Sequence, residues 1–181
     1  VSSTLMAFKA KFELVHPGLG GATAEFEVEV HPEWAPLGAQ RFKDLVLAGY
    51  FTDCRVHRVV SGFIAQWGIP GDPAVYRQWG ENKIKDDPVK TSNVKGTISF
   101  ATSGPNARGS QMFINLVDNS MLDEQGFAPF AVITTPGDAA YKFYNGYERA
   151  GPDQSRAKEE GNSYLAKEFP NLSYIARVSL M

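Results

Sequence analysis

The 181-residue chain has a single cysteine, Cys54, only three histidines, His16, His31 and His57, and no excess of charge of either sign. One cysteine excludes an intrachain disulfide. Cys54 precedes a strand-like segment and reads as a small buried hydrophobe, and a reducing, cytoplasmic setting is expected. No second histidine stands at ligand spacing from any of the three, which argues against a zinc site or a histidine-based triad. The net charge is -2, with acidic and basic residues interspersed, so neither nucleic acid nor a membrane surface is expected as a partner. No apolar run approaches the ~20 residues of a membrane span, and no signal-peptide pattern opens the chain. Because the chain starts at Val1 rather than Met, it reads as a processed or trimmed product. No internal repeat or low-complexity tract is apparent. Gly18-Leu19-Gly20-Gly21 lacks the third glycine of a dinucleotide fingerprint, since that position is Thr23. Gly104 to Ser110 lacks the lysine of a phosphate loop, and Pro105 removes an amide donor that such a loop needs. No cofactor and no metal are expected.

What is present is ordinary in bulk: 43% hydrophobic and 21% charged residues describe a globule, and the length suits one domain over 1–181. The informative stretch is 104–116, Gly-Pro-Asn-Ala-Arg-Gly-Ser-Gln-Met-Phe-Ile-Asn-Leu. A turn-forming run feeds an alternating strand. Met112, Ile114 and Leu116 share one face, and Gln111, Phe113 and Asn115 the other. With the first face as core, Phe113 becomes an aromatic among amides on the solvent side, which marks a binding surface. Residues 55–68, Arg-Val-His-Arg-Val-Val-Ser-Gly-Phe-Ile-Ala-Gln-Trp-Gly, read as two short strands, Val56–Val60 and Phe63–Trp67. Arg58 interrupts an apolar face there without an acidic neighbour in sequence, and Ile64 and Gln66 repeat the apolar-plus-amide pattern. His57 points away from Arg58 and reads as a satisfied core histidine. The chain thus offers one fixed cation, two glutamine amides and several apolar side chains, with no obvious nucleophile or base.

These residues resemble the cyclophilins, the peptidyl-prolyl cis/trans isomerases. The match is carried by Val56-His57-Arg58-Val59-Val60-Ser61-Gly62-Phe63-Ile64-Ala65-Gln66, by Ile98-Ser99-Phe100-Ala101, and by Gly104-Pro105-Asn106 through Gly109-Ser110-Gln111-Met112-Phe113-Ile114. With a compatible order of strands and helices, it covers nearly all of residues 8–181. The resemblance implies that Arg58 hydrogen-bonds the prolyl amide and that Gln66 holds both substrate and guanidinium. Phe63, Ile64, Phe113 and Leu122 match the walls of a proline pocket, and Ala101, Thr102 and Gln111 the approach for residues before proline. Ser103, Ala107, Arg108 and Ser110 fall where the family lines a neighbouring, more variable pocket. Three positions depart from the family. Met121 replaces a common tryptophan whose indole donates to cyclosporin, so weakened cyclosporin binding is expected. Phe127 replaces a pocket histidine, and Thr102 an asparagine. The implied partners are proline-containing peptides and protein clients, and the chain itself is expected to be a monomer. A proline-motif binding module without turnover is the competing reading, kept open by Met121 and Phe127.

The expected fold is mainly β: a closed antiparallel β-barrel of about eight strands capped by two helices, with a helical insertion near the C-terminus. Ala7–Val15 and Thr23–Val30 read as a hairpin, and Pro36–Ala48 as a helix ended by Gly49. Residues 69–96 read as a loop-rich excursion, with Lys83–Asp87 as solvated charge. Ala128–Thr134 reads as a strand, Pro136-Gly137-Asp138 as the opening of a helix through Tyr144, 150–169 as the insertion, and Leu172–Leu180 as the last strand. Residues 1–7 are expected to be a flexible start. Asp123-Glu124 reads as a solvated pair.

Overall fold

Alternation of apolar and polar residues builds one antiparallel sheet. In the computed structural model, which describes residues 4–147 and 150–181, nine strands pair in the order β3-β9-β1-β2-β8-β6-β7-β5-β4. They are β1 (Phe8–His16), β2 (Ala22–Val30), β3 (Cys54–Arg55), β4 (Arg58–Val60), β5 (Ile64–Trp67), β6 (Thr97–Phe100), β7 (Met112–Asn115), β8 (Ala131–Ile133) and β9 (Tyr174–Leu180). Four α-helices accompany them among the described residues: α1 (Pro36–Leu47), α2 (Pro73–Trp79), α3 (Gln154–Glu160) and α4 (Asn162–Glu168). No helix among the described residues is long and apolar enough to cross a membrane.

The two edge strands, β3 and β4, are separated in the chain only by Val56 and His57. The curled sheet therefore brings its edges together at that dipeptide, and chain connectivity rather than a ladder closes the barrel. Inward side chains fill it with aromatic rings. Phe12 stacks on Phe26 at 4.7 Å and meets the edge of Trp67 at 5.6 Å, and Phe42 from α1 packs on Phe130 at 5.3 Å. These rings are fully buried, and such pairs add about 0.5–1.5 kcal/mol each beyond their area.

The helix α1 depends on a distant carboxylate. Its first turn opens with Ala35 and Pro36, and no cap side chain satisfies the free N–H groups. Asp87 supplies the acceptor from fifty residues away: Leu37 N donates to Oδ1 at 3.1 Å and Gly38 N to Oδ2 at 2.8 Å. Arg108 pairs with the same carboxylate at 3.1 Å, with both side chains almost wholly buried, and its guanidinium lies over Phe100. Asp87 is therefore not the solvated charge that the sequence suggests.

Two further expectations change. Residues 138–144 form turns and coil, not a helix. Gly137 takes a positive φ of 85°, and Tyr144 N donates to Ser173 Oγ at 2.9 Å instead of to a helical carbonyl. The second capping helix is α2, inside the stretch that reads as loop, started by Asp72, whose side chain accepts from Ala74 N at 2.9 Å. The insertion is helical as expected, and forms α3 and α4. Of the expected flexible start, 1–3 fall outside the described residues, while Leu5 packs against the core.

Removing one member of a buried ion pair strands the other charge. Asp87→Ala should cost about 3–5 kcal/mol of unfolding free energy, measured by urea denaturation; a loss under about 1 kcal/mol would mean that water replaces the carboxylate.

Candidate active site

Register decides the composition of the site. In β4 and β5, Arg58 lies opposite Gln66 and Val60 opposite Ile64, and β5 and β7 pair Gln66 with Phe113 and Ile64 with Asn115. Cross-strand partners share a face, so Arg58, Gln66 and Phe113 form a row on the outside of the barrel. The alternate row, Trp67 opposite Met112 and Ala65 opposite Ile114, is buried inside.

Phe113 is not left in solvent. It is 2% exposed and packs with Ile64 and Leu122 in a small apolar cluster, bordered by Phe63, Ala101 and Phe127. The Phe127 ring meets Phe113 edge-on at 5.6 Å. The covering layer is the segment 119–127, which is tied down by amides. Asn119 Nδ2 donates to Phe63 O at 3.0 Å and to Asn115 Oδ1 at 2.9 Å. Asn93 Nδ2 donates to Phe127 O at 2.9 Å and to Asp123 Oδ1 at 2.8 Å. Asn93 Oδ1 accepts from Ser99 Oγ at 2.7 Å. Asp123 also accepts from Ser92 Oγ and Asn93 N, so it anchors this layer and is not a merely solvated neighbour of Glu124.

Above the apolar floor, three polar side chains form a relay. Arg58 Nη1 donates to Gln66 Oε1 at 3.2 Å, and Gln66 Nε2 donates to Gln111 Oε1 at 2.8 Å. The buried Gln66 amide is thereby oriented from both ends, and it aims the exposed guanidinium across the pocket mouth. Thr102 folds into its own turn, its hydroxyl donating to Gly104 O at 2.6 Å. Among the described residues the Thr102 backbone has no hydrogen-bond partner, so an extended ligand could pair with it.

A cavity of about 420 Å³ gathers these groups. Its lining includes Arg58, Phe63, Ile64, Gln66, Ala101, Thr102, Gln111, Phe113, Leu122 and Phe127, together with Ser103, Ala107 and Ser110. Two expected residues are elsewhere. Arg108 is drawn inward by Asp87 and by the Lys85 carbonyl, and Met121 is 56% exposed beside the cavity, where Gln125 takes a place in the wall. The sequence reading missed Tyr76, Gly80, Lys83, Gly109, Gln154 and Lys158, all in the lining. Apart from Gly109, which lies in the loop before β7, only a fold could find them, because they come from α2, its following turn and α3.

His57 is a core histidine, 4% exposed, whose ring nitrogens make no well-directed hydrogen bond among the described residues, although the Gln111 side chain and the Arg55 backbone stand close enough to favour its charged form. Burial first, and then the charge of Arg58, push its pKa down to about 4. Its side chain lines a second hollow of about 230 Å³ that also touches Arg58 and Gln154.

The chain matches the family model for "cyclophilin type peptidyl-prolyl cis-trans isomerase/CLD" over residues 20–159. A peptidyl-prolyl cis-trans isomerase A of Dickeya dadantii is 31% identical over 167 residues, 84% of this chain and 85% of that protein. A peptidyl-prolyl cis-trans isomerase-like 1 of Emericella nidulans is 35% identical over 103 residues, 54% of this chain. The match spans about 62% of that fungal protein's length. A crystal structure of a Cryptosporidium parvum cyclophilin type peptidyl-prolyl cis-trans isomerase superposes with a TM-score of 0.66 at 20% identity, covering 97% of this chain and 98% of that one. The chain belongs to the cyclophilin-type peptidyl-prolyl cis-trans isomerase family.

The buried neutral His57 predicts a pH signature. Above its ordinary pKa of 6.5 both folded and unfolded forms are neutral there, and stability is complete. As pH falls from 6.5 toward 4, the unfolded chain takes a proton that the folded one refuses, so stability falls. Urea titrations of wild type and His57→Asn should diverge across this window, with the variant showing the shallower loss. Parallel curves would show that His57 protonates equally in both states.

Proposed function

We propose that the chain catalyses rotation about Xaa-Pro bonds in peptides and in unfolded or flexible protein segments. The observation that carries the reading is a guanidinium held at the edge of an apolar pocket by a doubly anchored amide. The barrier to this rotation is about 18–20 kcal/mol, and uncatalysed exchange takes tens to hundreds of seconds. Twisting the bond breaks amide resonance, so the proline nitrogen becomes pyramidal and regains a lone pair. No bond to a heavy atom forms or breaks, and no proton has to move.

A donor aimed at that lone pair stabilises the twisted state more than either planar form, which is the requirement for catalysis. Arg58 suits this role because it is always charged and presents a rigid fork of donors. Gln66, fixed by Gln111, removes the freedom the guanidinium would otherwise lose in the transition state. Phe113, Leu122, Ile64 and Phe63 would grip the proline ring, and Ala101, Thr102 and Gln111 would hold the residues before it. An acceleration of ~10⁵-fold requires about 7 kcal/mol of selective stabilisation. A charge-assisted hydrogen bond, an anchored ring and partial desolvation supply that order of magnitude. A Cryptosporidium parvum cyclophilin type peptidyl-prolyl cis-trans isomerase of similar fold was crystallised in the presence of the dipeptide Ala-Pro, a ligand of the kind this pocket suits. The single cysteine, Cys54, is buried, and burial holds its thiol up at a pKa of about 12, so it takes no part in this chemistry.

The competing reading, a proline-motif binder without turnover, has no need of an aimed cation. Two-dimensional exchange NMR on an Ala-Pro peptide with catalytic amounts of protein separates the two. Wild type should give cis/trans exchange cross-peaks, and Arg58→Ala should slow exchange about a hundredfold, on the order of 2.7 kcal/mol. Shift changes without exchange peaks would identify the binder. For cyclosporin, Met121 offers no hydrogen-bond donor, so binding should be weak, and Met121→Trp should tighten it about tenfold, the worth of one net hydrogen bond. Equal affinities by calorimetry would show that position 121 does not touch the inhibitor.

A further inference from the structure

Past Ser110 the cavity continues to a wall that a proline ring does not use: Tyr76, Gly80, Lys83, Gly109, Gln154 and Lys158. Two of these come from α3, so the insertion forms part of the ligand groove. Its placement is fixed by packing. Ala157 is fully buried with Ile69, Tyr164, Leu165 and Leu172 in a satellite core, and Asn162 N donates to Gly71 O at 2.9 Å. Gly161, with a φ of 60°, lets α4 start against the Gly71 carbonyl, where a side chain would collide. Beside α2, the Lys158 ammonium sits 5.7 Å from the Tyr76 ring centre, in cation–π range.

Lys83 is held equally firmly. Its Nζ donates to Gly80 O at 2.8 Å and lies 3.2 Å from where a Cβ on Gly109 would stand. Glycine at 109 leaves room for the Gly80 carbonyl, 2.3 Å from where a Cβ would stand, and that carbonyl accepts from the ammonium. Burial first, and then the charge of Lys158, hold the pKa of Lys83 below the usual lysine range, with Glu81 acting in the opposite direction. The two ammoniums therefore sense each other. Among the described residues, the charged groups lining the cavity are Arg58, Lys83 and Lys158, and no aspartate or glutamate lines it. None of the three cations lies within ion-pair distance of a carboxylate of the described residues. Cations brought together without a counterion leave a positive potential that a ligand anion can neutralise.

We infer that this end of the groove binds an anionic side chain N-terminal to the substrate proline, with Lys158 and Lys83 as specificity-determining residues. The direction of the peptide rests on the isomerase reading above, because the approach through Ala101, Thr102 and Gln111 separates this wall from the proline pocket. Carboxylates and phosphoryl groups share the required chemistry, and a phosphoserine brings the larger charge.

The test uses peptides with glutamate, phosphoserine, glutamine or lysine placed one, two or three residues before an Ala-Pro pair. Exchange NMR gives the catalysed rate, and protein amide shifts give the affinity. At low ionic strength the best glutamate peptide should exceed its glutamine counterpart by about threefold and its lysine counterpart by about tenfold. Added salt should shrink both ratios. Lys158→Glu should reverse the glutamate-to-lysine ranking while Lys158→Arg preserves it, a contrast that a purely structural role would not produce. Lys83→Glu serves as the second variant if the first fails to fold by amide spectrum. A preference confined to phosphoserine supports the anion site and assigns it to phosphorylated sequences. Equal rates and affinities for glutamate, glutamine, phosphoserine and lysine, with exchange intact, would overturn the anion site and leave the isomerase standing. If no peptide exchanges, the isomerase reading fails instead, and the ranking of affinities still decides whether the anion site exists.

Discussion

Everything in the site depends on the pairing register of β4, β5 and β7. A slip of one residue would send every side chain of a strand to the opposite face. Gln66 and Phe113 would enter the barrel, and Met112, Ile114 and Trp67 would face water. The register is locked because the inner row has to fill a closed aromatic core, where Trp67 meets Phe12 and Met112 is fully buried. Core packing therefore dictates the site indirectly. Arg58 is aimed by Gln66 because Ala65 has to point inward.

A second constraint acts from outside the sheet. The 119–127 segment turns an exposed aromatic strand face into a lined pocket, and buried amides of Asn93, Asn115 and Asn119 hold it there. Such networks stabilise little on balance, but leaving one of their members unpaired is costly. They give the pocket walls a single arrangement. Asp87 does the same for α1, and its pairing with Arg108 holds that cation out of the groove lining. The insertion then adds α3 to the rim, so the groove of this chain is lined by the sheet, by α2 and its following turn, by the 119–127 segment and by α3.

Much of this was legible in the residues. Alternation gave the hairpin of β1 and β2, the faces of β7 and the shared face of Ile64 and Gln66 on β5, because a period of two is a local property of the chain. The Pro36 start and the Gly49 stop gave α1 nearly to the residue. Most of the errors come from partners that are remote in sequence. Lys83–Asp87 looked like solvated charge and 138–144 like a helix because their partners, the first turn of α1 and Ser173, are remote in sequence. Residues 73–79 looked like loop because a seven-residue helix shows too little periodicity to stand out. Phe113 looked exposed because nothing in its own strand says that 119–127 will cover it.

By itself the sequence determined the family, the barrel class and the chemical kit: one arginine, paired glutamine amides and an apolar pocket set. These follow from short-range pattern and from residue type, which carry over from chain to fold. Only the tertiary structure decided where each charge ends. Arg108 turns inward to Asp87, Lys83 and Lys158 both line the groove, and His57 is buried with its charged form disfavoured. The fate of a charge depends on which counterion or solvent its neighbours leave for it, and those neighbours are assembled only when distant segments pack.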